Sequence, residues 1–140
     1  MRAILVVDDE RDLAATCARL LSRRGWRVMT TGTREEALAA LIGDPRPTLA
    51  IVDRQLPDGD GLDVLRAARA VGTPVIMVTG YGSAATRRLA LEEGAAGFLA
   101  KPFGSHDLLE LVRMIAGEAA GPEPGLPPPA VDTQRPGIHC

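Results

Sequence analysis

Five short apolar runs alternate along this chain with stretches of helical period. The runs cover residues 3–7, 26–30, 48–52, 74–79 and 97–100. The first, third and fourth are hydrophobic almost throughout rather than at every second position, as expected of strands covered on both faces. Between them, Leu13, Cys17, Leu20 and Leu21 mark one face of a helix closed by Gly25, with Asp12 the preferred cap at its start. Thr33-Arg34-Glu35-Glu36 has the form of a capping box, opening a helix that buries Ala37, Leu38 and Leu41. Leu62, Leu65 and Ala68 mark a third helix, ending near Gly72. Ser83 is expected to cap a fourth, which carries Leu89 and stops at Gly94. Ser105 is expected to cap a fifth, with Leu108, Leu111, Val112 and Ile115 facing inward. Strand–helix alternation with short links predicts an α/β fold of the (βα)₅ kind, a doubly wound five-stranded parallel sheet with right-handed crossovers.

Past residue 117 the periodicity stops. Six of the eleven prolines lie between Pro122 and Pro136, so residues 1–117 are expected to form one domain and 118–140 a Pro/Gly-rich disordered tail or linker. Composition narrows the function. A net charge of −2 leaves no surplus of positive charge to neutralise a nucleic-acid backbone, so direct nucleic-acid binding is not expected. No apolar run nears the roughly 20 residues that span a bilayer, and the first run turns acidic too soon for a signal peptide. The expectation is a soluble, cytoplasmic domain without a membrane role. Cys17 reads as a small core residue and Cys140 as an incidental thiol, which is no disulfide framework. His106 and His139 read as surface residues.

In open parallel sheets, ligands sit beyond the carboxyl ends of the strands, so the polar residues that end each run matter most. The first run ends in Asp8-Asp9-Glu10, the third in Asp53, the fourth in Thr79 and the fifth in Lys101-Pro102. Clustered carboxylates repel one another and raise each other's pKa unless a cation relieves them. A hard, oxygen-seeking ion such as Mg²⁺ suits that need. An ionised Asp53 can then attack phosphorus without a general base, while Lys101 and the metal neutralise the phosphoryl oxygens and Thr79 donates a hydrogen bond. Lys101 is the single lysine beside fifteen arginines. A compact ammonium reaches one oxygen in a narrow crevice where a planar guanidinium fits differently. Asp58 and Asp60, in Asp-Gly-Asp-Gly, read as turn chemistry before a helix. The positions that would complete a calcium loop are Leu62 and Val64, which excludes that reading.

Ile4-Leu5-Val6-Val7-Asp8-Asp9-Glu10, Asp53 followed by Leu56-Pro57-Asp58-Gly59-Asp60-Gly61, Thr79-Gly80, and Phe98-Leu99-Ala100-Lys101-Pro102-Phe103 together resemble the response-regulator receiver family, in order and in register over residues 2–116. The resemblance implies a flavodoxin-like fold with strand order 2-1-3-4-5. It implies that Asp53 is the phosphoacceptor, that Asp9 binds Mg²⁺ directly and Asp8 mainly through water, and that the backbone carbonyl of Gln55 completes the metal site. It further implies that Thr79 and Lys101 contact the phosphoryl group, that Phe98 reorients with Thr79 as a switch, and that Lys101-Pro102 is a cis peptide. Gln55 and Tyr81 fall where the family tunes the lifetime of the phosphorylated state.

By that resemblance the chain is a signalling domain rather than an enzyme, at most assisting its own phosphorylation and dephosphorylation. Its implied partners are a sensor histidine kinase or phosphotransfer protein and a downstream output protein or missing output domain, with a phosphorylation-dependent homodimer as a further prospect. Two other classes fit the fold less well. A flavin-binding electron carrier would want hydroxyl- or Gly-rich backbone after the first strand, where Asp8-Asp9-Glu10 repels phosphate. A metal-dependent phosphatase with an aspartyl nucleophile would want Asp-x-Asp there.

Overall fold

A computed structural model describes residues 2–80 and 84–117 of the chain. The elements are β1 (Ala3–Val7), α1 (Arg11–Ser22), β2 (Arg27–Thr31), α2 (Arg34–Leu41), β3 (Leu49–Asp53), β4 (Gln55–Leu56), β5 (Gly59–Asp60), α3 (Gly61–Ala70), β6 (Val75–Thr79), α4 (Ala84–Glu92), β7 (Gly97–Ala100) and α5 (Ser105–Ala116). The main sheet has the order β2-β1-β3-β6-β7, and each of its pairings is parallel. β4 and β5 form a separate two-residue antiparallel ribbon. Counting only the strands of the main sheet, the order is the expected 2-1-3-4-5.

The three continuously apolar strands are buried at every position, and their pleat sorts them into two cores. Leu5, Val7, Ala50, Val52, Val75 and Met77 point to one face, where they pack with Ala37 and Leu41 of α2, Leu62, Val64, Leu65 and Ala68 of α3, and Ala90 of α4. Ile4, Val6, Leu49, Ile51, Ile76 and Val78 point to the other, against Ala14, Cys17 and Leu21 of α1 and Leu108 and Val112 of α5. Each fully buried aliphatic side chain stabilises the fold by about 1.5–3 kcal/mol. Such a two-sided core leaves only strand ends and helix termini to carry polar groups inward. Cys17 lies in the second core as a free, buried thiol, and burial pushes its pKa up to about 11.

Helix ends follow local chemistry in most places. After α1, Gly25 takes φ +92°, while its N–H bonds Ser22 O at 3.0 Å and the N–H of Trp26 bonds Leu21 O at 3.2 Å. That is a Schellman ending, which needs a left-handed residue. Trp26 is consumed by it, so β2 starts one residue later than the apolar run suggests. Thr33 caps α2 by accepting from Glu36 N at 3.1 Å, and the Glu36 carboxylate returns to Gly32 N at 3.1 Å, one residue before the position a strict capping box uses.

Two expected caps are corrected. α1 begins at Arg11 with Glu10 as its N-cap, so Asp12 falls inside the first turn. The reason is that Asp8 Oδ1 accepts from Glu10 N at 2.9 Å and sets the turn two residues earlier. At α5, Gly104 is the N-cap and Ser105 the first helical residue, with no side-chain cap bond. Ser83, Tyr81 and the proposed tail 118–140, with His139 and Cys140, lie outside the described residues. No helix among the described residues is long and apolar enough to cross a membrane.

Candidate phosphoacceptor and metal site

Asp8 follows β1 directly, Asp53 ends β3, Thr79 ends β6, and Lys101 follows β7. Because these strands are parallel neighbours, all four groups emerge at one edge of the sheet. The backbone register is tight there. Arg54 N donates to Val78 O at 2.8 Å, and Lys101 N donates to Thr79 O at 2.8 Å. Lys101–Pro102 is cis, as is Asp44–Pro45.

The ammonium of Lys101 sits among three carboxylates. Its Nζ lies 2.9 Å from Asp53 Oδ2, 3.1 Å from Asp8 Oδ2 and 2.5 Å from Glu10 Oε1. The second oxygen of each buried aspartate is held by backbone: Asp8 Oδ1 by Glu10 N and Asp53 Oδ1 by Gln55 N at 3.1 Å. Asp8 and Asp53 are buried, whereas the Glu10 side chain is 61% exposed. Burial pushes the Asp8 carboxyl above its usual value, against the lowering pull of Glu10 N–H and Lys101, and Asp53 adds to the rise. Burial alone would lower Lys101, but its hydrogen bonds to Glu10, Asp53 and Asp8 outweigh that and hold it above its ordinary value.

Glycine at position 61 lets the start of α3 meet the acceptor strand. A Cβ there would lie 2.3 Å from Asp53 O and 2.9 Å from Arg54 Cα, and Gly61 N donates to Arg54 O at 2.7 Å. Asp60 caps α3 by accepting from Leu62 N at 2.9 Å and pairs with Arg54 at 3.2 Å. Asp58 does more than turn the chain. Its two oxygens accept from Arg34 N at 2.6 Å and Glu35 N at 3.0 Å, capping α2 from 24 and 23 residues away. Those two N–H donors hold the exposed Asp58 carboxyl below its usual pKa.

One oxygen each from Asp8, Glu10 and Asp53 lie within 4.8 Å of one another. Such a set of hard oxygen donors, two of them buried and mutually repelling, fits a hard divalent cation. Asp9 is exposed and lines the same cleft, as do Gln55 and Gly80. Glu10 was not singled out from the sequence as a site residue, although its place directly after Asp8-Asp9 was the available signal. Thr79 is buried at the carboxyl end of β6, facing the neighbouring cleft with Arg54, Gln55 and Thr86. Phe98 is half-buried against the first core, paired in register with Met77. The clustered carboxylates would repel a flavin phosphate, which removes the chemical basis for the electron-carrier alternative.

The five-stranded parallel sheet thus gathers paired acids, a strand-end hydroxyl and one ammonium at its carboxyl edge, the ligand-binding edge of a doubly wound α/β domain. Residues 4–113 match the family described as response regulator receiver domain. The chain is 40% identical over 116 residues to the transcriptional regulatory protein CpxR of Escherichia coli (strain K12), covering 82% of this chain and 49% of that one. It therefore spans about half the length of that relative. Among solved structures, a CheY-like receiver domain protein from Methanospirillum hungatei superposes with a TM-score of 0.75 at 34% identity, over 81% of this chain and 92% of the other. A response regulator protein from Burkholderia pseudomallei, solved with a phosphorylated aspartic acid, calcium ion and citrate, superposes with a TM-score of 0.74 at 32% identity, over 83% and 69%. The chain belongs to the response regulator receiver domain family.

Proposed function

We propose that this domain accepts a phosphoryl group on Asp53 from a partner histidine kinase or phosphotransfer protein and passes the signal on by a change of conformation. The observation that carries the reading is the 2.9 Å approach of Lys101 Nζ to Asp53 Oδ2, which joins residues 48 apart in sequence at the carboxyl edge of the sheet. In the transfer, an Asp53 oxygen forms a bond to phosphorus as the bond from phosphorus to the donor's imidazole nitrogen breaks. The electron pair leaves with that nitrogen. Lys101 neutralises charge on the phosphoryl oxygens, and the Thr79 hydroxyl donates to one of them. Asp8, Asp9, Asp53 and the Gln55 carbonyl would hold Mg²⁺, which supplies charge neutralisation between acceptor and phosphoryl group when bound.

The new group brings roughly −1.5 to −2 charge, enough to draw Thr79 and Lys101 toward it and to shift Phe98 on β7. An output domain or partner protein in the cytoplasm reads that shift, with homodimerisation as one route. The phosphorylated aspartic acid in the Burkholderia pseudomallei relative supports the chemistry. The test is incubation with acetyl phosphate and Mg²⁺ followed by intact mass measurement. Wild type should gain one phosphoryl group, and Asp53→Asn none. A phosphorylated Asp53→Asn chain would refute the assignment.

A further inference from the structure

An ammonium has three N–H donors, and the three of Lys101 face three carboxylate acceptors: Asp8, Asp53 and Glu10. An arriving phosphoryl oxygen therefore meets a lysine that is already fully engaged, and one acceptor has to let go. The three are not equivalent. Asp8 and Asp53 are buried, and each is also held by a backbone N–H. Glu10 is 61% exposed. Although it occupies the N-cap position of α1, its side chain makes no cap bond, and among the described residues Lys101 is its side chain's one polar partner. Releasing Glu10 sends an exposed carboxylate into water at little cost, whereas releasing either aspartate strands a buried charge. Glu10 and Lys101 also line the clefts on both sides of the contact, so nothing packed has to move for the pair to part.

We propose that Glu10 is a positioning residue, a built-in stand-in for the phosphoryl oxygen that keeps Lys101 extended over Asp53 and yields its donor when the phosphoryl group arrives. This rests on the reading of Asp53 as phosphoacceptor. Glu10 then acts in two opposing ways: it pre-places the ammonium, and it competes with the phosphoryl group for it. Removing the carboxylate frees a donor and lets an anion on Asp53 bind more tightly.

The lone lysine makes the contact directly observable. In the 140-residue chain labelled with ¹⁵N-lysine, the ammonium signal belongs to Lys101 alone. In metal-free protein, Glu10→Gln should speed proton exchange at that Nζ, while Asp12→Asn, an equal charge change at an exposed position two residues on, should leave it unaltered. With Mg²⁺ saturating for each variant, calorimetric titration with beryllofluoride should then show Glu10→Gln binding about two- to fivefold tighter than wild type, the range of an exposed charge pair. Asp12→Asn should bind like wild type. An unchanged Nζ signal in Glu10→Gln overturns the proposal, as does equal tightening in both variants, which reduces the effect to charge at a distance. Wild type that binds no beryllofluoride would sink the phosphoacceptor reading itself. Wild-type binding with an unaltered Glu10→Gln affinity sinks the role of Glu10 alone.

Discussion

Replacing Lys101 by Met keeps the length of the stem and deletes the charge. Lys101 is only 15% exposed, and its ammonium is what stands between the buried carboxylates of Asp8 and Asp53. Removing one partner from a buried charge set costs about 3–5 kcal/mol. Glu10 is exposed and rehydrates, so the burden falls on the two aspartates and the lower end, about 3 kcal/mol, applies. With an m-value of roughly 1–3 kcal/mol/M, the urea midpoint in EDTA should fall by about 1–3 M. The sign with pH follows from the two perturbed groups. Lys101 is raised, so its contribution is complete below its unfolded pKa and lost only as pH climbs through the folded one, which leaves it intact at pH 7. Asp8 is also raised. Stability is therefore gained as pH falls and Asp8 takes up a proton, and the gap between Lys101→Met and wild type narrows toward acid. A divalent cation held by the same carboxylates, as proposed, would at 100 times its dissociation constant add about 2.7 kcal/mol to whichever protein binds it. With no ammonium competing for these carboxylates the Lys101→Met pocket should bind the cation more tightly, so Mg²⁺ should narrow the gap, by about 1.4 kcal/mol for each tenfold difference in affinity. Urea unfolding of both proteins, in EDTA and in Mg²⁺, measures all of this. A gap of the same size under both conditions would show that the lysine and the metal do not share these carboxylates.

Gly61→Ala drives a methyl into Asp53 O and Arg54 Cα. It should cost about 1–3 kcal/mol in chemical denaturation and slow labelling by acetyl phosphate, because the backbone that must shift carries the acceptor. Leu65→Ala, at a fully buried position between α3 and the sheet, should cost about 2–5 kcal/mol while leaving the phosphorylated fraction at saturating donor unchanged. Asp58→Ala removes both oxygens from the start of α2. Amide hydrogen exchange at Arg34 and Glu35 should accelerate and the melting temperature should fall. Asp58 has a lowered pKa, so its contribution is present above the ordinary carboxylate range and lost as pH drops through the folded value. The difference from wild type should vanish in acid. An Asp58→Ala effect that persists undiminished at low pH would exclude the carboxylate as its source.

Much of this was legible before any coordinates. Three runs buried on both faces had to be interior parallel strands, since a strand exposed on one side would alternate. Polar residues ending four of the five runs had to meet at one edge, since parallel neighbours share their carboxyl end. Local signals also located the stop at Gly25 and the cap at Thr33. At two helix starts the observed cap differs from the one local preference favours. At α1, the bond from Glu10 N to Asp8 Oδ1, two residues back, starts the helix ahead of Asp12. Ser105 lost the cap to Gly104 with no side-chain bond to mark the change.

What the chain order itself determined is the alternation of elements, the two-sided core and the identity of the charged residues that end the strands, because each depends on periods of two or 3.6 residues. Which acid Lys101 touches, how Asp58 reaches α2, and why residue 61 must lack a side chain were decided only by the fold. Those contacts join residues from 7 to 93 positions apart, and no local period carries a signal over such spans. The sheet brings them together, and the electrostatics of the pocket follow from that placement.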